Sequence, residues 1–325
     1  MTSVTIPESV TSIGAAAFCS CSKLAEVYCK PTTPPTLGGS YVFDSNASDR
    51  KMYVPSASVD AYKTATNWSE YADQIVADPS SASSTYYVED AACGLSMKMI
   101  WVEGGTFTMG ATAEQGSDPY DDEKPAHSVT VSSYYIAECE VTQAQWKKIM
   151  GTTINDLAAS LSLTGVGDNY PIYYVTYDEA KEFCSKLSAL TGKNYSLPTE
   201  AQWEYAARGG KDSKGYKYSG SSTIDEVSWY GSNSGSTAHP VKQKKANELG
   251  LYDMSGNIYE WCSDWWTSSY SSGSQIDPTG ASTGTLRAKR GGSWVHGQTS
   301  SRVSDRGSYT PSNRSKDGGF RVVCK

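Results

Sequence analysis

Phenylalanine and histidine are scarce in this chain, at 5 and 3 of 325 residues. Long apolar runs are missing too: none approaches the roughly 18 residues of a membrane-spanning helix, which argues against membrane insertion. Basic residues number 28 against 35 acidic, a net charge of −7 with pI near 5.1, so the clustered positive footprint of nonspecific nucleic-acid binding is absent. The start, Met1 to Pro7, has neither the basic residues nor the apolar core of a signal peptide. The expectation is a soluble chain, or a piece of a longer exported one acting at the cell surface or outside the cell. No cysteine lies between Cys262 and Cys324, and Cys19-Ser20-Cys21 lacks the two-to-four-residue spacing of a zinc knuckle.

What is abundant is tyrosine, 23 residues, beside 9 tryptophans. Both combine contact area with a hydrogen-bonding tip, which suits wet recognition surfaces as well as half-exposed loop positions. Cys184 and Cys262 sit in apolar or aromatic surroundings and read as buried thiols. A disulfide among Cys19, Cys21 and Cys29 is left open.

Residues 1–77 alternate short β-like runs with small-residue turns: Ser3-Val4-Thr5-Ile6-Pro7, Ser12-Ile13-Gly14, Ala17-Phe18 and Leu24 to Cys29. The pattern resembles the bacterial surface type of leucine-rich repeat, with one clear unit, a degenerate second at Met52 to Pro55, and a closing helix near Ser58 to Lys63. Residues 78–96 begin with the Ser-rich tract Pro79 to Thr85 and are read as a linker. Residues 97–325 form the main domain. Met99 to Val102 and Gly105 to Gly110 are predicted to pair as a hairpin turning at Glu103-Gly104-Gly105, and His127 to Val131 alternates as a strand. Three helices are each announced by a capping box: Thr142 with Gln145, Thr176 with Glu179, and Thr199 with Gln202. Short strands and long loops around a few helices predict an α+β, loop-rich fold.

Five blocks in order carry a family resemblance. They are Val102 to Gly110, Glu140 to Trp146, Leu197 to Gly210, Asn247 to Trp261, and a closing frame from Arg290-Gly291-Gly292-Ser293-Trp294 to Gly319-Phe320-Arg321. Together they resemble the formylglycine-generating enzyme (sulfatase-modifying factor) family, which implies a C-type-lectin-like core. Active members place two redox cysteines shortly after the Gly-Gly-Ser-aromatic turn and bind copper through them. Counted from Trp294, those places hold His296 and Ser301. A two-sulfur Cu(I) site needs thiolates, so no copper is expected. The family's sulfoxide synthases hold iron through histidines. Here His127, His239 and His296 show no helix-face metal spacing, and no catalytic residue is assigned. The resemblance also implies a structural Ca²⁺ bound by Asp253, Gly256, Ile258 and Glu260, the carboxylates through side chains and the other two through carbonyls. The competing reading is a turn in which Glu260 pairs with an arginine.

The closing frame further resembles the variable proteins of diversity-generating retroelements, with Arg302-Val303-Ser304-Asp305-Arg306 and Pro311-Ser312-Asn313-Arg314 matching. That likeness implies a ligand-binding display face at about 294–318. Its candidate residues are Trp294, His296, Gln298, Thr299, Ser300, Ser304, Asp305, Ser308, Tyr309, Lys316 and Asp317. The partner would be a cell-surface or phage-host protein or glycan. The rival expectations are an oxidoreductase of the same superfamily with a non-standard site, and a structural protein dominated by its repeats.

Overall fold

The computed structural model describes all residues except 56–57, 79–85, 92–93, 117–118 and 159–160. It divides into two compact units, Met1–Thr85 and Tyr86–Lys325. In the first, β1 (Ser3–Ile6), β2 (Glu26–Cys29), β3 (Lys51–Val54) and β4 (Ile75–Ala77) pair parallel in chain order. Strands that repeat every 20-odd residues and stack in sequence make a solenoid-like sheet, in which each unit buries one face against its neighbours. Leu24, Val27, Met52 and Val54 are fully buried, worth about 1.5–3 kcal/mol for each such side chain. The sequence pattern showed two repeats; the unit's main sheet has four parallel strands, because Ile75–Ala77 pairs without any repeat motif. The expected closing helix is α1 (Val59–Thr64), with Tyr62 buried beneath it. Cys19, Cys21 and Cys29 are free thiols.

The second unit begins earlier than expected. Tyr86–Ala91, placed by the sequence reading in the linker, is a strand (β5) pairing antiparallel with β6 (Leu95–Val102). The predicted hairpin is also replaced. β6 pairs with β9 (Tyr134–Ala137), while β7 (Gly105–Met109) pairs with β8 (His127–Val131). The result is one long ribbon that bends at Glu103-Gly104 and Ser132-Ser133 and passes from one sheet into another. Gly104 permits the bend, since a Cβ there would lie 2.5 Å from the Val131 carbonyl oxygen. β6 and β9 belong to a five-stranded sheet with β5, β10 (Tyr195–Ser196) and β16 (Val323–Cys324).

All three capping boxes form. Thr142, Thr176 and Thr199 accept from the amides of Gln145, Glu179 and Gln202, opening α2 (Gln143–Met150), α3 (Tyr177–Thr191) and α4 (Glu200–Ala207). Each satisfied cap is worth about 1 kcal/mol. Gly151 and Gly192 end the first two in the left-handed conformation that glycine adopts without penalty. All eight residues of α4 are buried, including Glu200 and Glu204 one turn apart. Against α4 lies a four-stranded sheet of β14 (Arg306–Tyr309), β13 (Arg287–Arg290), β11 (Tyr259–Trp265) and β15 (Gly318–Gly319). This sheet carries the C-terminal frame.

Candidate binding face and its arginine frame

Four buried arginines fix the closing segment. Arg290 pairs with Glu204 and donates to the carbonyls of Val303, Ser304 and Asp305. Arg302 grips Glu123, with Nη1 2.7 Å from Oε2. Arg306 pairs with both oxygens of Glu200 at 2.7 and 2.8 Å, and Arg321 with both oxygens of Glu260 at 2.7 Å. A guanidinium fork meets a carboxylate with two parallel bonds, so each pair sets orientation as well as position. These pairs are inaccessible to solvent, and losing either member would strand a buried charge. The backbone between Trp294 and Phe320 is therefore anchored from below.

Seven of the expected binding residues reach the surface: His296, Gln298, Thr299, Ser300, Ser308, Tyr309 and Lys316 are exposed or half-buried. His296 Nδ1 lies 2.7 Å from Ser293 Oγ and 3.3 Å from Asp317 Oδ2, and its ring meets the edge of Tyr259 at 5.1 Å. Lys289 sits 3.9 Å from the Tyr259 ring centre and 5.1 Å from that of Tyr309. Burial lowers the Lys289 pKa against the pull of Asp317 and Asp305. Lys316 lies over Trp294 at 5.2 Å. Tyr120, more than half exposed, stands 5.8 Å above the Arg302 guanidinium.

Four expected residues are not on that surface. Trp294 is packed in the core and its amide donates to the Asn257 carbonyl, so it supports the turn and cannot anchor a partner. Ser304 is fully buried, donating to Glu123 beside Gln115. Asp305 is buried 3.6 Å from Arg302, and burial reinforced by Glu123 pushes its pKa up to about 7. Asp317 is buried too. Burial alone would raise its pKa; hydrogen bonds from His296 and Ser315, the Lys289 charge and Ser293 outweigh that and hold it well below the usual range. Its role is to position His296. The sequence reading missed Glu123, Glu200, Glu204, Tyr259, Lys289 and Tyr120. Only the Glu200–Glu204 spacing on a helix carried a visible signal.

At the places counted from Trp294, His296 is half-exposed and Ser301 is fully buried, its Oγ accepting from Ser228 Oγ at 3.3 Å. Of the donors expected to hold Ca²⁺, both carboxylates are engaged by groups of the chain. Glu260 Oε2 accepts from both Trp203 and Arg321 at 2.7 Å, while Oε1 accepts from Arg321. Asp253 Oδ2 accepts from the Lys242 amide. The Gly256–Ile258 turn is held by a carboxylate of the chain, Glu140, which takes the Ile258 amide at 3.1 Å and the Asn257 side chain at 2.7 Å. Among the described residues no three His, Cys, Asp or Glu side chains converge as metal ligands. Arg321 places one positive charge against Glu260.

An α+β unit with this sheet arrangement and buried frame is compared most usefully with proteins of the C-type-lectin-like class. Residues 87–325 match the Sulfatase-modifying factor enzyme 1-like domain, and the chain belongs to that family. It is 32% identical over 279 residues to the "Chaperone protein LppX" of Paenibacillus barcinonensis, covering 70% of this chain and 90% of that one. It is 29% identical over 313 residues to the "Formylglycine-generating enzyme" of Streptomyces coelicolor, covering 76% and 96%. Among solved structures, Treponema denticola variable protein 1 superposes with a TM-score of 0.65 at 30% identity, over 74% of this chain and 98% of that one. PvdO from Pseudomonas aeruginosa gives 0.60 at 28% identity over the same shares. The fold is that of this class: loop-rich, α+β and C-type-lectin-like.

Proposed function

We propose that the chain is a non-catalytic binding protein that presents its C-terminal face to a protein or glycan on a cell or phage surface. The carrying observation is the chemistry at the two cysteine-equivalent positions. A half-exposed imidazole and a sealed serine cannot form a two-thiolate copper site, and the described cysteines Cys139, Cys184 and Cys262 have pKa values raised by burial, which suppresses the reactive thiolate. Around them, His296, Gln298, Thr299, Ser300, Ser308, Tyr309 and Lys316 offer mixed polarity on a backbone held by buried arginine pairs. Tyr309 is the rigid aromatic anchor, and Lys316 adds a positive charge to the same face. The similarity to a protein called variable favours retroelement diversification of these exposed positions. Among the described residues no helix is long and apolar enough to cross a membrane. A surface location is therefore proposed on the binding role.

The test is an array of glycans and cell-surface proteins probed with the full chain and with Tyr309→Ala/Lys316→Ala. Capture by the parent and loss in the double variant at unchanged melting temperature supports this face; equal capture by both counts against it. Oxygen consumption with a thiol substrate and added copper or iron would instead favour an oxidoreductase. Retroelement diversification requires a template repeat near the gene, differing only at adenines and lying beside a reverse transcriptase gene; genomic DNA lacking one removes that part.

A further inference from the structure

A cavity of about 520 Å³ opens between the first turn of α4 and the loop that follows β11, and none of the exposed C-terminal residues lines it. Two of its polar walls are hydrogen-bond acceptors left without donors. His127, 5% exposed, has Nδ1 3.1 Å from the Pro125 carbonyl. A carbonyl can only accept, so the neutral ring carries its proton on Nδ1 and turns an Nε2 lone pair to the cavity, with no partner among the described residues. Asp264, 4% exposed, anchors Oδ2 to the Glu200 amide at 2.9 Å and the Ser263 hydroxyl at 3.0 Å. Among the described residues its Oδ1 has no donor. Gly280, at φ +76°, lets the loop pass close beside this carboxylate: a Cβ there would lie 2.8 Å from Asp264 Cβ and 3.0 Å from Oδ1.

The other charges in the wall are already matched. Glu200 takes Arg306 in two bonds, with the Tyr270 hydroxyl 3.5 Å from the same carboxylate. The Tyr270 ring lies against His127 at 4.9 Å. Among the described lining residues Asp264 is thus the one charge without an ion-pair partner, in a space of the size that holds small ligands. An occupant that donates hydrogen bonds and carries positive charge would engage both acceptors. A divalent metal would find one free carboxylate and one imidazole, too few for a closed site.

We propose that this cavity binds a small organic cation, an ammonium or guanidinium on a short aliphatic chain, donating to Asp264 Oδ1 and His127 Nε2. Burial, reinforced by the Glu200 charge, pushes Asp264 up to about 7 against the opposing Glu200 amide, Ser263 hydroxyl and Arg306. A bound cation favours the ionised carboxylate, so affinity falls with acidification. Of the neighbours, Glu200 remains charged because Arg306 overcomes its burial and lowers its pKa. His127, Tyr270 and Arg306 also face this space.

Calorimetric titration of the full chain with agmatine, putrescine and neutral 1,4-butanediol tests the assignment. Saturable one-to-one binding of either cation is expected at pH 8, with none for the diol. Affinity should fall about 30-fold at pH 5.5, since few Asp264 carboxyls are then ionised, and binding should vanish in Asp264→Asn. Equal binding of the diol, no saturation by either cation at millimolar concentration, or full affinity in a folded Asp264→Asn overturns it. If the variant does not fold, the diol comparison and pH series on the parent chain decide the matter.

Discussion

Replacing Arg321 by methionine examines the buried frame at its most exposed logical point. Arg321 and Glu260 are both inaccessible to solvent, and the guanidinium also donates to the carbonyls of Ala137 at 3.0 Å and Tyr252 at 2.9 Å. The single change leaves Glu260 a buried carboxylate with Trp203 as its remaining side-chain donor. Stranding a buried charge in this way costs about 3–5 kcal/mol. Nearby Asp253, which burial raises only to about 6, is ionised at pH 8 and deepens the cost. In Arg321→Met/Glu260→Gln the stranded charge is gone and two orphaned carbonyls remain, about 1 kcal/mol each. The double variant should therefore be more stable than the single one by about 1–3 kcal/mol. Urea unfolding at pH 8, followed by tryptophan fluorescence, measures this, because eight of the nine tryptophans lie in residues 86–325. A double variant no more stable than Arg321→Met would refute the claim that the pair, and not packing alone, holds the turn.

Two further outcomes follow from the same frame. Asp305 has its folded pKa raised to about 7, above the ordinary carboxylate value, so its contribution is fully present below pH 4 and lost as pH rises through 7. Asp305→Asn should therefore flatten the fall in melting temperature between pH 5 and 8; an unchanged slope would contradict its burial. If Arg321 takes the ion's place beside Glu260, a chelator should leave the melting temperature within about 1 °C of its starting value, because an ion that does not bind adds no binding free energy. A chelator-dependent drop restored by Ca²⁺ would reinstate the ion.

Local signals were legible and distant ones were not. Each capping box is complete within four residues, and all three formed as read. The hairpin failed because β6 and β7 find their partners beyond each other, roughly 20 to 40 residues on, and the Gly104 bend looks like a tight turn when only the sequence is available. Tyr86–Ala91 looked like linker because its polar alternation follows a Ser-rich tract. Within the site, the exposed loop residues were recognisable by their mixed polarity. Ser304 and Asp305 have the same polarity but are buried against Arg302 and Glu123, and Glu123 lies 179 residues from Arg302. Nothing local distinguishes a polar residue matched by a distant acid from one facing water. The same blindness concealed the Asp264 and His127 cavity.

The most direct measurement is a library of the full chain randomised at His296, Gln298, Thr299, Ser300, Ser308, Tyr309 and Lys316, displayed and selected on immobilised lysozyme as an arbitrary probe. A fixed frame with a replaceable face predicts that most members keep the parent's melting temperature and that specific lysozyme binders emerge. A library that largely fails to fold, or that folds and yields no binder, would contradict it.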